Sequence, residues 1–227
     1  MISGIIGMGG GVLLLSIMTF FIDYTLLIPL HGIVQLVSNS SRTIYLRKNI
    51  RWDFFVPFIL GAPIGFVIAF FILKEISNTN YYYLLLSFFI LYAVFKPKKF
   101  PEFRLKGYQW SILGLFSGIQ GSLIGATGPL IAPFYLRSDL KKEEIVATKA
   151  AQQIATHFLK IPLFLSLDFD YLKHIDLITG MCIAAVLGTY LGVKLLGKVK
   201  ESAFKILFKT FLLIAAFRLL YKFWVTL

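Results

Sequence analysis

The chain has 227 residues, 58% of them hydrophobic and only 15% charged, with a mean hydropathy of +0.79; a soluble domain carries about 25% charge, so a water-soluble fold does not fit. Its 23 Lys and Arg against 11 Asp and Glu leave a net charge of +12, a balance that would suggest nucleic acid in a soluble protein but is ordinary for loops on the cytoplasmic face of a membrane. No nucleic-acid partner is expected, and the single cysteine, Cys182, excludes an intramolecular disulfide or a thiolate metal site.

Apolar stretches fall at 1–20, 24–46, 54–73, 80–95, 108–136, 144–167, 175–196 and 203–226. A bilayer is crossed by a helix of about 20 residues, and the alternating segments of about 10 residues that build a barrel are missing. The expected fold is therefore an all-α polytopic membrane protein with eight hydrophobic segments. Asp23, Arg47-Lys48-Asn49, Lys74-Glu75, the basic stretch 96–107, the stretch 137–144, Asp168 to His174 and Lys198 to Glu201 separate them. The start has no charged region followed by a cleavage site and is not read as a signal peptide.

The first and fifth segments hold clustered Gly and Pro: Gly7-Met8-Gly9-Gly10-Gly11, and Gly125-Ala126-Thr127-Gly128-Pro129 with Pro133 beyond. A continuous helix is not expected through either. A shift of 118 positions superposes the two clusters and continues without a gap, bringing His31 onto Lys149, Gln35 onto Gln153, Asn39 onto His157 and Arg42 onto Lys160. The chain reads as an internal duplication, residues 1–107 followed by 108–227. The first copy is short at its N-terminus, because the entering half of its Gly-rich segment would lie before Met1.

Loop charge separates two topologies. With eight full crossings, Lys and Arg divide 8 against 11 between the two sides; with the two Gly-rich segments re-entrant they divide 15 against 4, which the positive-inside rule prefers. Six full spans plus two re-entrant half-helix hairpins give each copy an odd number of crossings, so the repeats are inverted. Inverted repeats with broken helices are the pattern of secondary transporters, with the substrate near the midplane.

In the segments that follow the Gly-rich clusters, polar residues recur at i, i+4, i+8 and i+11: His31, Gln35, Asn39 and Arg42, then Lys149, Gln153, His157 and Lys160. That spacing lines one helix face. A cation in hydrocarbon costs at least ~2.5–3.5 kcal/mol on insertion scales and normally faces a cavity or a partner. The eleven acids fall at segment ends and in loops, so an anion from solution would be that partner. Unpaired amides and the positive dipole end of a half-helix bind oxyanions too. The candidate substrate-binding set is Gly10, Gly11, Gln35, Asn39, Arg42, Thr127, Gly128, Lys149, Gln153, His157 and Lys160, with no metal and no cofactor. Catalysis has weak support: His31, His157 and His174 lack paired-ligand spacing, though His31 or His157 could titrate near neutral pH. Gly61/Gly65 and Gly188/Gly192 have the small-xxx-small spacing of tight helix packing.

Gly7 to Gly11, Gly125 to Pro129 with Pro133, Ala147-Thr148-Lys149 and His157-Phe158-Leu159-Lys160-Ile161-Pro162 resemble the sulfite exporter TauE/SafE family, also called 4-toluenesulfonate uptake permeases. The resemblance covers nearly the whole chain. It implies a transporter, not an enzyme, for sulfur-containing anions such as sulfite or sulfonates, multi-pass in the inner (cytoplasmic) membrane of a bacterium or archaeon. The expected partners are the small anion and the lipid bilayer, with a homo-oligomer left open. A passive anion channel is the alternative.

Overall fold

A computed structural model describes residues 10–75, 80–95, 103–135, 138–195 and 201–225. Among them there is no strand. The helices are α1 (Gly10–Met18), α2 (Tyr24–Tyr45), α3 (Trp52–Glu75), α4 (Asn80–Phe95), α5 (Gln109–Ile124), the four-residue α6 (Gly128–Ile131), α7 (Lys142–Leu165), α8 (Ile175–Leu195) and α9 (Glu201–Val225). Eight of these span nine residues or more, and they fall on the eight apolar stretches of the sequence.

The punctuation has local causes. Gly125 ends α5 at φ +93°, a left-handed conformation that favours glycine. Residues 125–127 then break the chain before α6, which carries Pro129 in its first turn and runs into a 3-10 turn over Ala132–Tyr135. The fifth segment is thus discontinuous, as its composition predicts. Of its second arm the described residues show one four-residue helical turn and a 3-10 turn. The tip of the first Gly-rich cluster, Gly7 to Gly9, lies outside the described residues. The Glu144 carboxylate accepts the Lys141 amide at 2.8 Å and holds the start of α7.

Burial is inverted relative to a soluble protein. Leu60, Ile64, Val67 and Phe71 of α3, Ile183 and Leu187 of α8, and Phe217 and Trp224 of α9 face outward, while His31, Gln35, Asn39, Lys149, Gln152, His157 and Lys160 are buried. Such an exterior suits hydrocarbon. Only α3, with a mean hydropathy of 2.5 over its apolar window, is by itself long and apolar enough to cross a membrane among the described residues. On α2 and α7 the polar rows dilute the apolar character, so those helices depend on one another to hide the rows. The structure carries the expected architecture as far as all-helical chain, eight long helices and one broken segment.

Helix pairing positions the centre. α2 packs on α7, α4 on α9, α3 on both α5 and α7, and α8 on α2. The α3–α5 contact is built on glycine. A Cβ at Gly61 would fall on the Ser111 carbonyl, one at Gly65 on that of Leu115, and one at Gly114 on that of Phe58. The Ser111 hydroxyl donates to the Pro57 carbonyl at 2.7 Å across the same seam. Gly188 of the matching pair on α8 behaves otherwise, because a Cβ there meets nothing within 4 Å; Gly192 lies outside the residues whose side-chain positions are described. The expectation of tight packing holds for Gly61 and Gly65 and fails for Gly188, where no described element lies against the residue.

At one end of the bundle a lock joins α3, α5 and α7. Phe54 stacks on Trp110 at 4.4 Å, and the Arg51 guanidinium lies 4.5 Å over the Phe54 ring. The Tyr135 hydroxyl donates to Gln152 Oε1 at 2.9 Å, Gln152 Nε2 donates to the Phe54 carbonyl at 3.4 Å, and the Arg51 amide donates to Thr148 Oγ1 at 2.9 Å. The Asp53 carboxylate, hydrogen-bonded to Arg51, raises the guanidinium's already high pKa, so its charge is permanent. Gln152→Leu removes two buried hydrogen bonds at once. It should lower stability by about 2 kcal/mol, read as a lower unfolding midpoint in detergent; an unchanged midpoint would mean the lock contributes nothing.

Candidate anion-binding site

The two polar rows face each other because α2 and α7 pack along their length. Between them lies a polar cavity of about 10 Å³, lined by Gly10 and Gly11 at the start of α1, His31, Gln35 and Arg42 of α2, Gly128 after the break, and Gln153 and His157 of α7, with Val12 and Ala126 completing the wall. No carboxylate is among the lining residues. The volume suits about one water molecule, so a sulfur oxyanion needs the walls to part.

Each member of the expected set has a definite place. Gly10, Gly11, Gln35, Arg42, Gly128, Gln153 and His157 are brought together at the cavity. Arg42, half-buried, is bonded back to its own helix, Nε to the Ser38 carbonyl at 3.3 Å and Nη2 to Ser38 Oγ at 3.2 Å. Asn39 is buried one layer behind the wall, with Nδ2 donating to the Gln35 carbonyl at 2.8 Å and Oδ1 unpartnered. Thr127 is buried at the break with Oγ1 unpartnered. Lys149 is buried on α7, one turn before Gln153, outside the cavity wall.

Lys160 does not reach the cavity. Its Nζ donates to the Gly125 carbonyl at 2.6 Å, and its stem runs so close that a Cβ at Gly32 would sit 3.1 Å from Lys160 Cδ. The ammonium therefore rests on the C-terminal, negative end of α5. Carbonyl dipoles stand in for a carboxylate, of which none is buried among the described residues. The break is held by other side chains as well: Tyr24 Oη donates to the Leu123 carbonyl at 2.7 Å, and Gln120 Nε2 to that of Ala126 at 3.3 Å.

His31, outside the expected set, proves central to the geometry. It is fully buried, lines the cavity, donates from Nε2 to the Gly11 carbonyl at 2.9 Å and faces His157 edge-on with 5.8 Å between ring centroids. Its position at the head of the polar row on α2 is the signal that points to it. Substitution at Gly32 tests the neighbourhood: Gly32→Leu should displace the Lys160 stem and weaken anion binding about tenfold, whereas equal affinity in the variant would separate Lys160 from the site.

A second cavity of about 630 Å³ opens between α2, α3, α4 and the end of α7, walled by Tyr24, Ile28, Phe70, Tyr82 and Phe164 with Lys74 and Asp168 at its rim. Ile28 lies three residues before His31, and Phe164 seven after His157, so about one helical turn on α2 and two on α7 separate the lining residues of the two cavities. The buried side chains of Leu15 and Ile28 pack on Gly125.

The family model described as sulfite exporter TauE/SafE matches residues 1–219 of the 227. Comparison with curated proteins and with solved structures finds no match. A match over almost the whole length, on a helical chain with an apolar exterior and a buried polar centre, settles the family: the chain belongs to the TauE/SafE sulfite exporters, a family of membrane transporters of sulfur anions.

Proposed function

We propose that the chain is a secondary transporter that moves a small sulfur oxyanion, sulfite or an organic sulfonate, across the cytoplasmic membrane through the cavity between α2 and α7. The observation that carries this reading is the make-up of that cavity. Arg42, two imidazoles, two carboxamides and the amide-bearing start of α1 converge on it with no acid in its wall, a surface complementary to an anion and to little else. Lys160 adds a buried positive charge one layer behind. Of the expected set, Gly10, Gly11, Gln35, Arg42, Gly128, Gln153 and His157 touch the anion, and Asn39, Thr127, Lys149 and Lys160 support them.

The two repeats, 1–107 and 108–227, exchange access by parting and closing around this point. Exchange of the copies maps α2 onto α7, α3 onto α8 and α4 onto α9. The α2–α7 and α4–α9 packings, which that exchange leaves in place, and the α3–α7 packing, which it turns into α8–α2, support this reading, whereas the α3–α5 packing has no comparable counterpart between α8 and α1 among the described residues. The large cavity serves as the vestibule on one side, sealed from the site by Leu15, Ile28 and Gly125. Closure on a one-water volume favours a carrier over an open channel.

The deciding experiment is a binding screen of sulfite, sulfoacetate, taurine, thiosulfate and sulfate on the purified protein, followed by flux in proteoliposomes. One of the sulfur anions should bind and be carried. His157→Ala should abolish its transport while the protein still folds; unchanged transport in His157→Ala and in a Lys160 variant together would retire the site. Current that scales passively with voltage, with no saturation, would instead mark a channel. Labelling from each side should place Lys141 and Lys99, the latter outside the described residues, on one face; opposite faces would overturn the re-entrant topology.

A further inference from the structure

The wall of the cavity includes two buried imidazoles, each with a ring nitrogen that has no hydrogen-bond partner. His31 Nε2 must donate, because its partner is the Gly11 carbonyl at 2.9 Å. The neutral ring therefore keeps its free lone pair on Nδ1, and that atom is buried without a hydrogen-bond partner, as is Nδ1 of His157. A buried unpaired acceptor of this kind is costly unless it is used at another stage of the protein's work.

We propose that His31 is the proton-carrying group of an anion–proton symport: as the anion docks, His31 Nδ1 forms an N–H bond with a proton from water on the loading side, and it releases that proton to water on the other side when the anion leaves. The proposal rests on the anion-binding reading of the cavity. One monovalent anion and one proton then move together with no net charge.

The charges around His31 make the two binding events depend on each other. From α7 it faces His157 and Lys160, and from its own helix Arg42 lines the same cavity. α1, α5 and α6 carry no titratable side chain. α8 brings only Asp176, which is exposed at its start, and the half-buried Cys182 among its described side chains; Tyr82 and Tyr83 of α4 meet α2 at Tyr24, about two turns away. Among the described residues no acid is therefore placed to hold an imidazolium at His31, and two cations are placed to oppose one. An oxyanion in the cavity that His31 lines reverses that balance, because its negative charge offsets the two cations. By linkage the proton strengthens anion binding by the same factor as the anion strengthens proton binding. His31 also grips the start of α1 through Gly11, so the charge change is felt at the tip that contacts the anion.

The test uses anions whose own charge is constant across the range of about pH 5–8 in which an imidazole titrates, methanesulfonate and sulfate, with sulfite in parallel. Calorimetry of the full chain in buffers of different ionisation heat should show uptake of about one proton per anion, with affinity falling about tenfold per pH unit where uptake is complete. His31→Gln should bind more weakly, take up no proton and lose the pH dependence. Should that variant fail to fold, 15N-histidine spectra of the unaltered protein decide: on anion binding the His31 ring should gain a second N–H, with His174, outside the cavity, as the internal reference. Binding with no proton uptake, uptake that persists in His31→Gln, or a proton that appears on His157 alone overturns the proposal and leaves the anion site standing. Failure of sulfite itself to bind removes both.

Discussion

Lys160→Met should lower anion affinity on the order of 100-fold and stop transport at substrate levels that saturate the unaltered protein, while the variant still folds. The ammonium is buried, bound to a single carbonyl at 2.6 Å, and sits behind a cavity with no acid in its wall. An interaction with a charged group contributes about 1.5–3 kcal/mol, and about 1.4 kcal/mol is tenfold in affinity. Methionine keeps most of the stem volume against Gly32 and removes only the charge and one hydrogen bond. Burying a lysine with no carboxylate costs stability, so the melting temperature should hold or rise as binding is lost. A fall in both together would make Lys160 a structural residue instead. Anion titration and thermal unfolding on the same preparation separate the two outcomes.

The second large effect is structural and belongs to the α3–α5 seam. Gly61→Ala should unfold the protein or prevent its accumulation, because the added Cβ lands on the Ser111 backbone carbonyl and neither helix can retreat by a side-chain rotation. Overpacking that flexible groups can relieve costs about 1–3 kcal/mol; here the backbones themselves would have to separate, and the Ser111 to Pro57 hydrogen bond would be lost with them. Gly188→Ala is the control. A Cβ there meets open space, and an exposed helical Gly→Ala change gains about 1 kcal/mol of helix propensity, so this variant should be neutral or slightly stabilised. Yield of monodisperse protein measures both. Equal behaviour of the two variants would deny the asymmetry between Gly61 and Gly188.

Much of this arrangement could be read from residue order. Segment boundaries fall within a few residues of the helix ends, because runs of charge and Gly-Pro clusters are costly in hydrocarbon and collect at the ends and breaks of spans. The discontinuity at Gly125 to Thr127 was legible for the same reason. So were the polar rows on α2 and α7, since a helix repeats every 3.6 residues and a chain that must hide cations has to align them on one face.

Periodicity gives the face of a helix but neither the depth at which a side chain stops nor what it meets there. Lys160 belongs to the same row as Gln153 and His157, yet its ammonium ends on the Gly125 carbonyl because the end of α5 approaches that turn of α7. His31 reaches the cavity because the start of α1 lies beside it and offers the Gly11 carbonyl. Gly61 and Gly188 carry the same spacing, but packing against α5 makes one indispensable and leaves the other bare. Local chemistry fixed where helices begin, break and turn their polar sides; contact between distant parts of the chain, which joins residues as much as 199 positions apart, chose which of those polar groups would meet at one point.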